Sequence, residues 1–144
     1  FLFGEEMFEL DEQDKRIEKI LGQFDIEVSE EASLKYMEYL KQNLKFPCHL
    51  TGIEDFPWEE YYILGPGNNK EYEKLKKKQP SYTDIFNLIS FKNDLEENNG
   101  ILVEVERLSD KKKFILPLAD LKSTDSDSKN YQLLDDYSVW FVNN

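Results

Sequence analysis

The sequence predicts one α+β domain, and three observations carry that reading. Apolar residues recur at helical spacing through the first 44 residues, and they alternate at period two near residues 101–106. Between these stretches lies the densest turn signal of the chain, Gly65-Pro66-Gly67-Asn68-Asn69. A length of 144 residues with 40% hydrophobic and 14% aromatic content is enough for one modest core. The reading is a mobile segment at 1–10 and a single α+β domain over 11–144.

The first helix is expected after Asp11, with Asp14 in its first turn and Ile17, Ile20, Leu21 and Phe24 on one face, and with Gly22 near its end. A second helix starts at the Ser29 cap, places Glu30 and Glu31 where the helix dipole favours anions, and lines up Met37, Leu40 and Leu44. Tyr36 and Tyr39 widen that face. Pro47 cannot continue the helix and biases Phe46 toward extended backbone, so Phe46 to Ile53 reads as the first strand and Tyr61 to Leu64 as the second. The Lys/Glu-rich segment 70–78 reads as a solvated helix, and Pro80 opens a further helical stretch with Ile85, Phe86, Leu88, Ile89 and Phe91 on its apolar side. Asp94 to Gly100 is a polar loop. Ile101 to Glu106 and Lys113 to Leu118 form a hairpin around Ser109-Asp110-Lys111-Lys112. Leu133, Leu134, Tyr137, Trp140 and Phe141 then close the core, with Trp140, Trp58 and Tyr39 expected to be largely buried.

Charge narrows the function. The formal charge is −12, and residues 1–64 hold 16 acids against 6 bases. A field of that sign repels phosphate backbones and anionic lipid and attracts cations and basic protein surfaces, which argues against nucleic acid and membranes. Only Lys74 with Lys76 to Lys78, and Lys111 to Lys113, interrupt it. No apolar run approaches the roughly 18 residues of a membrane span, and the start lacks the basic region of a signal peptide. Cys48 stands alone, so no internal disulfide forms, and cytoplasmic residence is the simplest expectation. The absence of an initial Met points to a natural chain that begins further upstream.

The segment Ile53-Glu54-Asp55-Phe56-Pro57-Trp58-Glu59-Glu60 gathers four carboxylates around a stiff aromatic-proline hinge. Carboxylate oxygens suit Ca²⁺, which takes roughly 6–8 oxygen ligands in irregular geometry. The expected metal ligands are Glu54, Asp55, Glu59 and Glu60, joined by Asp135 or Asp136 from the C-terminal element. A second acidic motif, Asp125-Ser126-Asp127-Ser128-Lys129-Asn130, starts like an EF-hand loop, with position 12 on Asp136. Lys129 at position 5 and Asn130 in place of the turn glycine argue instead for an Asp/Ser turn that caps the C-terminal element.

Catalytic patterns are weak. His49 and Cys48 are adjacent, so along a strand their side chains point to opposite faces and cannot form a nucleophile and base. No phosphate-binding glycine loop, His pair or nucleophile elbow is present. The competing reading is an acidic interaction module for a basic partner, with Phe56, Trp58, Tyr61 and Tyr62 as aromatic anchors inside an acidic rim.

A family resemblance bears on both readings. Lys35-Tyr36-Met37-Glu38-Tyr39-Leu40-Lys41-Gln42-Asn43-Leu44-Lys45-Phe46-Pro47-Cys48 resembles the junction of the CcbP-type acidic prokaryotic calcium-binding proteins, where a Tyr-rich helix ends in Leu-x-Phe-Pro. Phe114-Ile115-Leu116-Pro117-Leu118-Ala119-Asp120-Leu121 and Asp136-Tyr137-Ser138-Val139-Trp140 are similar to that family's Val-Pro-Leu strand and terminal aromatic element. Against the family pattern, residues 65–99 look like an insertion and Cys48 replaces an aromatic residue. The matching positions Tyr39, Leu40, Phe46, Pro47, Pro117, Leu118 and Trp140 are scaffold residues that one would bury. The resemblance implies a small antiparallel, SH3-like sheet with N-terminal helices packed beside it.

Overall fold

The computed structural model describes residues 11–22, 25–96 and 98–144. The segment expected to be mobile at 1–10, Phe24 of the first apolar face and Glu97 of the polar loop lie outside these residues. Helix α1 (Glu12–Leu21) starts where the Asp11 carboxylate accepts the Asp14 N–H at 2.8 Å, and it stops at Gly22, whose φ of +96° an L side chain rarely adopts. Helix α2 (Glu30–Asn43) is capped by Ser29, whose Oγ accepts the Ala32 N–H at 3.0 Å. The two helices bury Ile17 and Leu21, and Tyr36, Met37 and Leu40, against the rest of the chain.

Five strands follow: β1 (His49–Gly52), β2 (Phe86–Phe91), β3 (Leu102–Arg107), β4 (Lys113–Pro117) and β5 (Leu121–Ser123). They form one open antiparallel sheet in the order β4-β3-β2-β1-β5. The β3–β4 hairpin is the expected one, with Val103 opposite Leu116 and Val105 opposite Phe114. A single 3-10 turn at Leu118–Asp120 carries the chain from the β4 edge to the far edge, where β5 pairs with β1.

Two assignments change. Residues 61–63, expected with Leu64 to be a strand, belong to a short helix, α3 (Glu60–Ile63), that continues a 3-10 turn at Pro57–Glu59 and has Leu64 as its C-cap. Residues 86–91, expected to be helical, are the middle strand. The misreading has a physical origin: the register shifts between Leu88 and Ser90, so one extra residue separates inward Leu88 from half-buried Phe91. That places apolar residues three apart, which is also a helical interval. Strand β1 begins at His49 rather than Phe46, and Phe46 is 54% exposed. The Lys-rich helix α4 (Asn69–Lys76) forms as expected, capped by Asn68.

Helix α5 (Lys129–Asn143) closes the core. Trp140 is fully buried, stacks near Tyr36 with ring centroids 5.1 Å apart, and donates from Nε1 to the Ile26 carbonyl at 2.6 Å. Tyr36 therefore takes the deep position expected of Tyr39, which with Trp58 is only half-buried. Gly52 sits where a Cβ would come within 2.5 Å of the Tyr82 Cβ, because the end of β1 is pressed against residues 82–84 by hydrogen bonds from Gly52 N–H and the Thr51 hydroxyl.

Arg107, at the end of β3, is 3% exposed and lies on the same face of the strand as Val103 and Val105. Its guanidinium donates to Asp110 at 2.8 and 3.0 Å, to Asp84 at 2.9 Å, and to the carbonyls of Lys76, Lys77 and Gln79. A cation there also sits at the negative end of α4. The hydrogen bonds from Arg107 pull the Asp110 carboxyl down from its ordinary 3.8 to about 2.

Replacing Trp140 with Ala should lower unfolding free energy by about 3–5 kcal/mol, read by urea denaturation, since it deletes a large core aromatic. The pH profile has a definite sign. Because the folded-state pKa of Asp110 is depressed, its contribution is present above about pH 4 and lost as pH falls toward 2. Asp110→Asn should flatten that acid limb, and a melting curve series from pH 5 to about pH 2 checks it.

Candidate metal centre

The loop after β1 carries the acidic segment, and a buried acid folds it. Glu59 is fully buried, and its two carboxylate oxygens accept four hydrogen bonds, from Phe56 N–H (3.2 Å), Tyr82 N–H (2.8 Å), Tyr72 hydroxyl (2.6 Å) and Ser81 hydroxyl (2.7 Å). Its lone pairs are taken up by the fold, so it is not among the groups offered to a cation. Asp136 is likewise 2% exposed and receives Arg16 at 2.7 and 2.9 Å and Gln13 at 2.9 Å, which ties α1 to α5. Of the six residues expected as ligands, Glu59 and Asp136 are thus structural acids.

The other four come together. Glu54, Asp55, Glu60 and Asp135 line one cavity of about 380 Å³, along with Asp120. Three elements build it. The loop Ile53 to Asp55 and the turn into α3 supply one wall, the 3-10 turn at Ala119 and Asp120 the floor, and α5 the other wall through Asp135, Ser138, Val139, Val142 and Asn143. Two hydrogen bonds lock the walls to the floor: Ile53 N–H donates to the Asp120 carbonyl at 2.9 Å, and the Ser138 hydroxyl donates to the Ala119 carbonyl at 3.0 Å. Among the described residues, no Lys, Arg or His lines the cavity. Burial, and secondarily the charge of Glu54, raise the Asp120 carboxyl above its usual range.

The donor set is all oxygen, which fits a hard cation that prefers carboxylates. Among the described residues, no three acidic, His or Cys side chains already stand at metal-ligand spacing. Asp120 is the residue that sequence reasoning missed. It lies some sixty residues from Glu54 and Asp55, inside a Leu-Pro-Leu-Ala-Asp-Leu run that looks like scaffold, and only the turn between β4 and β5 brings it beside them.

The other motifs have structural roles. Asp125 accepts the Asp127 N–H, and Ser128 Oγ accepts the Tyr131 N–H at 3.1 Å, so that motif is the cap of α5 and not an EF-hand loop. Its would-be position 12, Asp136, is held by Arg16. Cys48 is buried and His49 exposed, on opposite faces of the chain. The aromatic anchors expected for a basic partner are mostly engaged: Phe56 is 5% exposed, Trp58 donates to the Pro80 carbonyl, and Tyr62 stacks on Tyr72, which leaves Tyr61 outside.

A family model described as calcium binding, of the CcbP type, matches residues 65–141, or 77 of the 144 residues. Two solved structures resemble the chain over most of its length. The crystal structure of Anabaena CcbP is 20% identical with a TM-score of 0.58, covering 92% of this chain and 91% of that one. A calcium-binding protein in its calcium-binding form is 17% identical with a TM-score of 0.56, covering 91% and 90%. At such identities the structural likeness speaks for the fold. No curated protein sequence matches the chain. The matched range includes residues 65–99, set apart above as an insertion, and these contribute the central strand β2, so the segment is integral to the sheet.

Adjacent acids should behave oppositely. Glu59→Ala leaves four donors without an acceptor and should cost about 3–5 kcal/mol. Glu60→Gln, one residue on, should stay within about 0.5 kcal/mol, and paired denaturation curves check both.

Proposed function

The chain belongs to the CcbP family of calcium-binding proteins, and from that premise we propose that it holds Ca²⁺ in the acidic cavity, with Glu54, Asp55, Glu60, Asp120 and Asp135 as its ligand set. One observation carries the assignment: five carboxyls from three separate elements line a single cavity that, among the described residues, has no basic side chain in its wall. Calcium takes roughly 6–8 oxygens and accepts water among them, so five carboxyls are an ample supply. Glu54 and Glu60 are exposed and Asp55, Asp120 and Asp135 half-buried, so Glu54 and Glu60 can swing inward around an ion, while Asp135 is held in place by the Gln13 amide, which donates to it at 3.0 Å.

Electrostatics gives the binding its sign. Burial first, and the nearby charge of Glu54 second, raise the Asp120 carboxyl above its usual value, so holding it ionised in the empty cleft costs free energy. A divalent cation offsets that cost, and binding to the folded state alone raises stability by mass action. Glu59 contributes by holding the loop, and Asp136 by anchoring α5; neither acts as a ligand.

The SH3-like reading of the sheet is supported by the strand order, a four-stranded meander whose fifth strand returns beside the first after a 3-10 turn. Residues 11–144 are read as one folding unit because a contiguous core cluster runs from Ile17 to Trp140. No helix among the described residues is long and apolar enough to cross a membrane. The free thiol of Cys48 suits a reducing compartment, which favours the cytoplasm.

Calorimetric titration with Ca²⁺, and with Mg²⁺ as the control, tests the site. Asp120→Asn with Asp135→Asn should weaken Ca²⁺ binding by about ten-fold or more, because affinity follows the charge and number of ligands. Unchanged affinity in that variant places the ion elsewhere. Asp120 also supplies an opposed pair of effects. Its raised folded-state pKa means that its contribution to apo stability is greatest at acid pH and is lost as pH rises through the shifted value. Asp120→Asn alone should therefore raise the melting temperature of the calcium-free protein at neutral pH while reducing the increase that Ca²⁺ brings.

A further inference from the structure

Half of the cavity wall is not acidic. Between the carboxylates run Ile53, Pro57, Ala119, Val139 and Val142. Ile53 is 44% exposed and Val142 is 74% exposed, so aliphatic surface stands in water at the rim of a strongly anionic cleft. A metal ion makes no use of that surface. Apolar side chains beside crowded charge of one sign are what an interface presents to a partner of the opposite sign.

We propose that this groove is also the docking seat of a basic partner protein, which inserts a Lys or Arg side chain and is thereby placed in competition with Ca²⁺. The proposal rests on the calcium reading of the same cavity. The chemistry of such a side chain matches both halves of the wall. Its alkyl stem packs on Ile53, Val139 and Val142, and its cationic head lies among Glu54, Asp120 and Asp135. The volume of about 380 Å³ holds one such side chain and not a folded element. A free small amine would satisfy the carboxylates and leave Ile53 and Val142 in water, whereas a protein surface around the inserted residue covers them. Charge complementarity favours the same occupant, since the chain carries −12 and no described basic group lines the cavity.

Cation and partner need the same carboxylates, so each weakens the other by an equal factor. Calcium-free protein is the form that holds the partner, and a rise in Ca²⁺ releases it.

The test uses the full chain and an acetylated, amidated peptide of three Leu-Arg-Arg-Leu repeats, followed by fluorescence anisotropy at physiological salt. The peptide should bind in chelator and lose about ten-fold in affinity or more at saturating Ca²⁺. Ile53→Ser with Val142→Ser should weaken the peptide by about five-fold or more while leaving the Ca²⁺ affinity of the protein within about two-fold. Peptide binding that ignores saturating Ca²⁺, or that ignores the Ile53→Ser, Val142→Ser change, overturns the proposal. So does spermidine binding as tightly as the peptide and displacing it fully, which would make the seat one for free amines. The two readings fail separately. If Asp120→Asn with Asp135→Asn lowers Ca²⁺ affinity but not peptide affinity, only the docking seat is lost. If it lowers peptide affinity but not Ca²⁺ affinity, the calcium site is elsewhere and the competition falls with it.

Discussion

Two buried charges of opposite sign clamp one segment of this molecule, and the sheet depends on them. Glu59 receives Ser81 and Tyr82 from one side, while Arg107 takes the carbonyls of Lys76, Lys77 and Gln79 and the carboxylate of Asp84 from the other. Between them residues 76–84 are held in a non-repetitive path that ends helix α4 and delivers the chain to β2, the middle strand. A buried charge is costly unless its hydrogen-bonding capacity is filled, and in both cases it is filled by one near neighbour, Phe56 or Asp110, and by several groups far away in sequence. The clamp therefore specifies a tertiary arrangement that local propensity does not.

The same constraint sorts the acids into two populations. Glu59, Asp84, Asp110 and Asp136 are consumed by hydrogen bonds and ion pairs inside the fold. Glu54, Asp55, Glu60, Asp120 and Asp135 face a common cavity. Sequence neighbours fall on opposite sides of this division twice, at Glu59 and Glu60 and again at Asp135 and Asp136. Both pairs lie on helical backbone, where successive side chains diverge by about 100°. One member of each pair consequently points into the protein and its neighbour toward the cavity. The inner acids serve as scaffold, and the outer ones line a cavity that, among the described residues, has no basic side chain in its wall.

Hydrogen bonds to the backbone give the cavity its frame. Ile53 N–H bound to the Asp120 carbonyl, and the Ser138 hydroxyl bound to the Ala119 carbonyl, fasten the acidic loop, the 3-10 turn and α5 to one another. The three sources of carboxyls are thus joined through their backbone, while Glu54 and Glu60 at the outside are exposed. A joined frame with exposed carboxylates at its rim is compatible with the proposed binding of a large, oxygen-seeking ion whose coordination is irregular.

Local chemistry was legible in the sequence by itself. The caps at Asp11 and Ser29, the β3–β4 hairpin, the unsuitability of Asp125 as an EF-hand start and the opposed faces of Cys48 and His49 all follow from short-range rules, and the structure has them. The acidic segment at 54–60 was legible too, because unusual charge density beside a proline needs no third dimension to be noticed. The tertiary structure decided the rest. A bulge made strand β2 imitate helical spacing, so its place in the middle of the sheet emerged only from its pairing with β1 and β3. Asp120 lines the cavity because a chain crossing from β4 to β5 carries it there, and Glu59 does not because the nearby Phe56 N–H and three donors distant in sequence claim its oxygens. Composition and spacing report which groups are available, but solvation and long-range hydrogen bonding determine which of them remain free to bind.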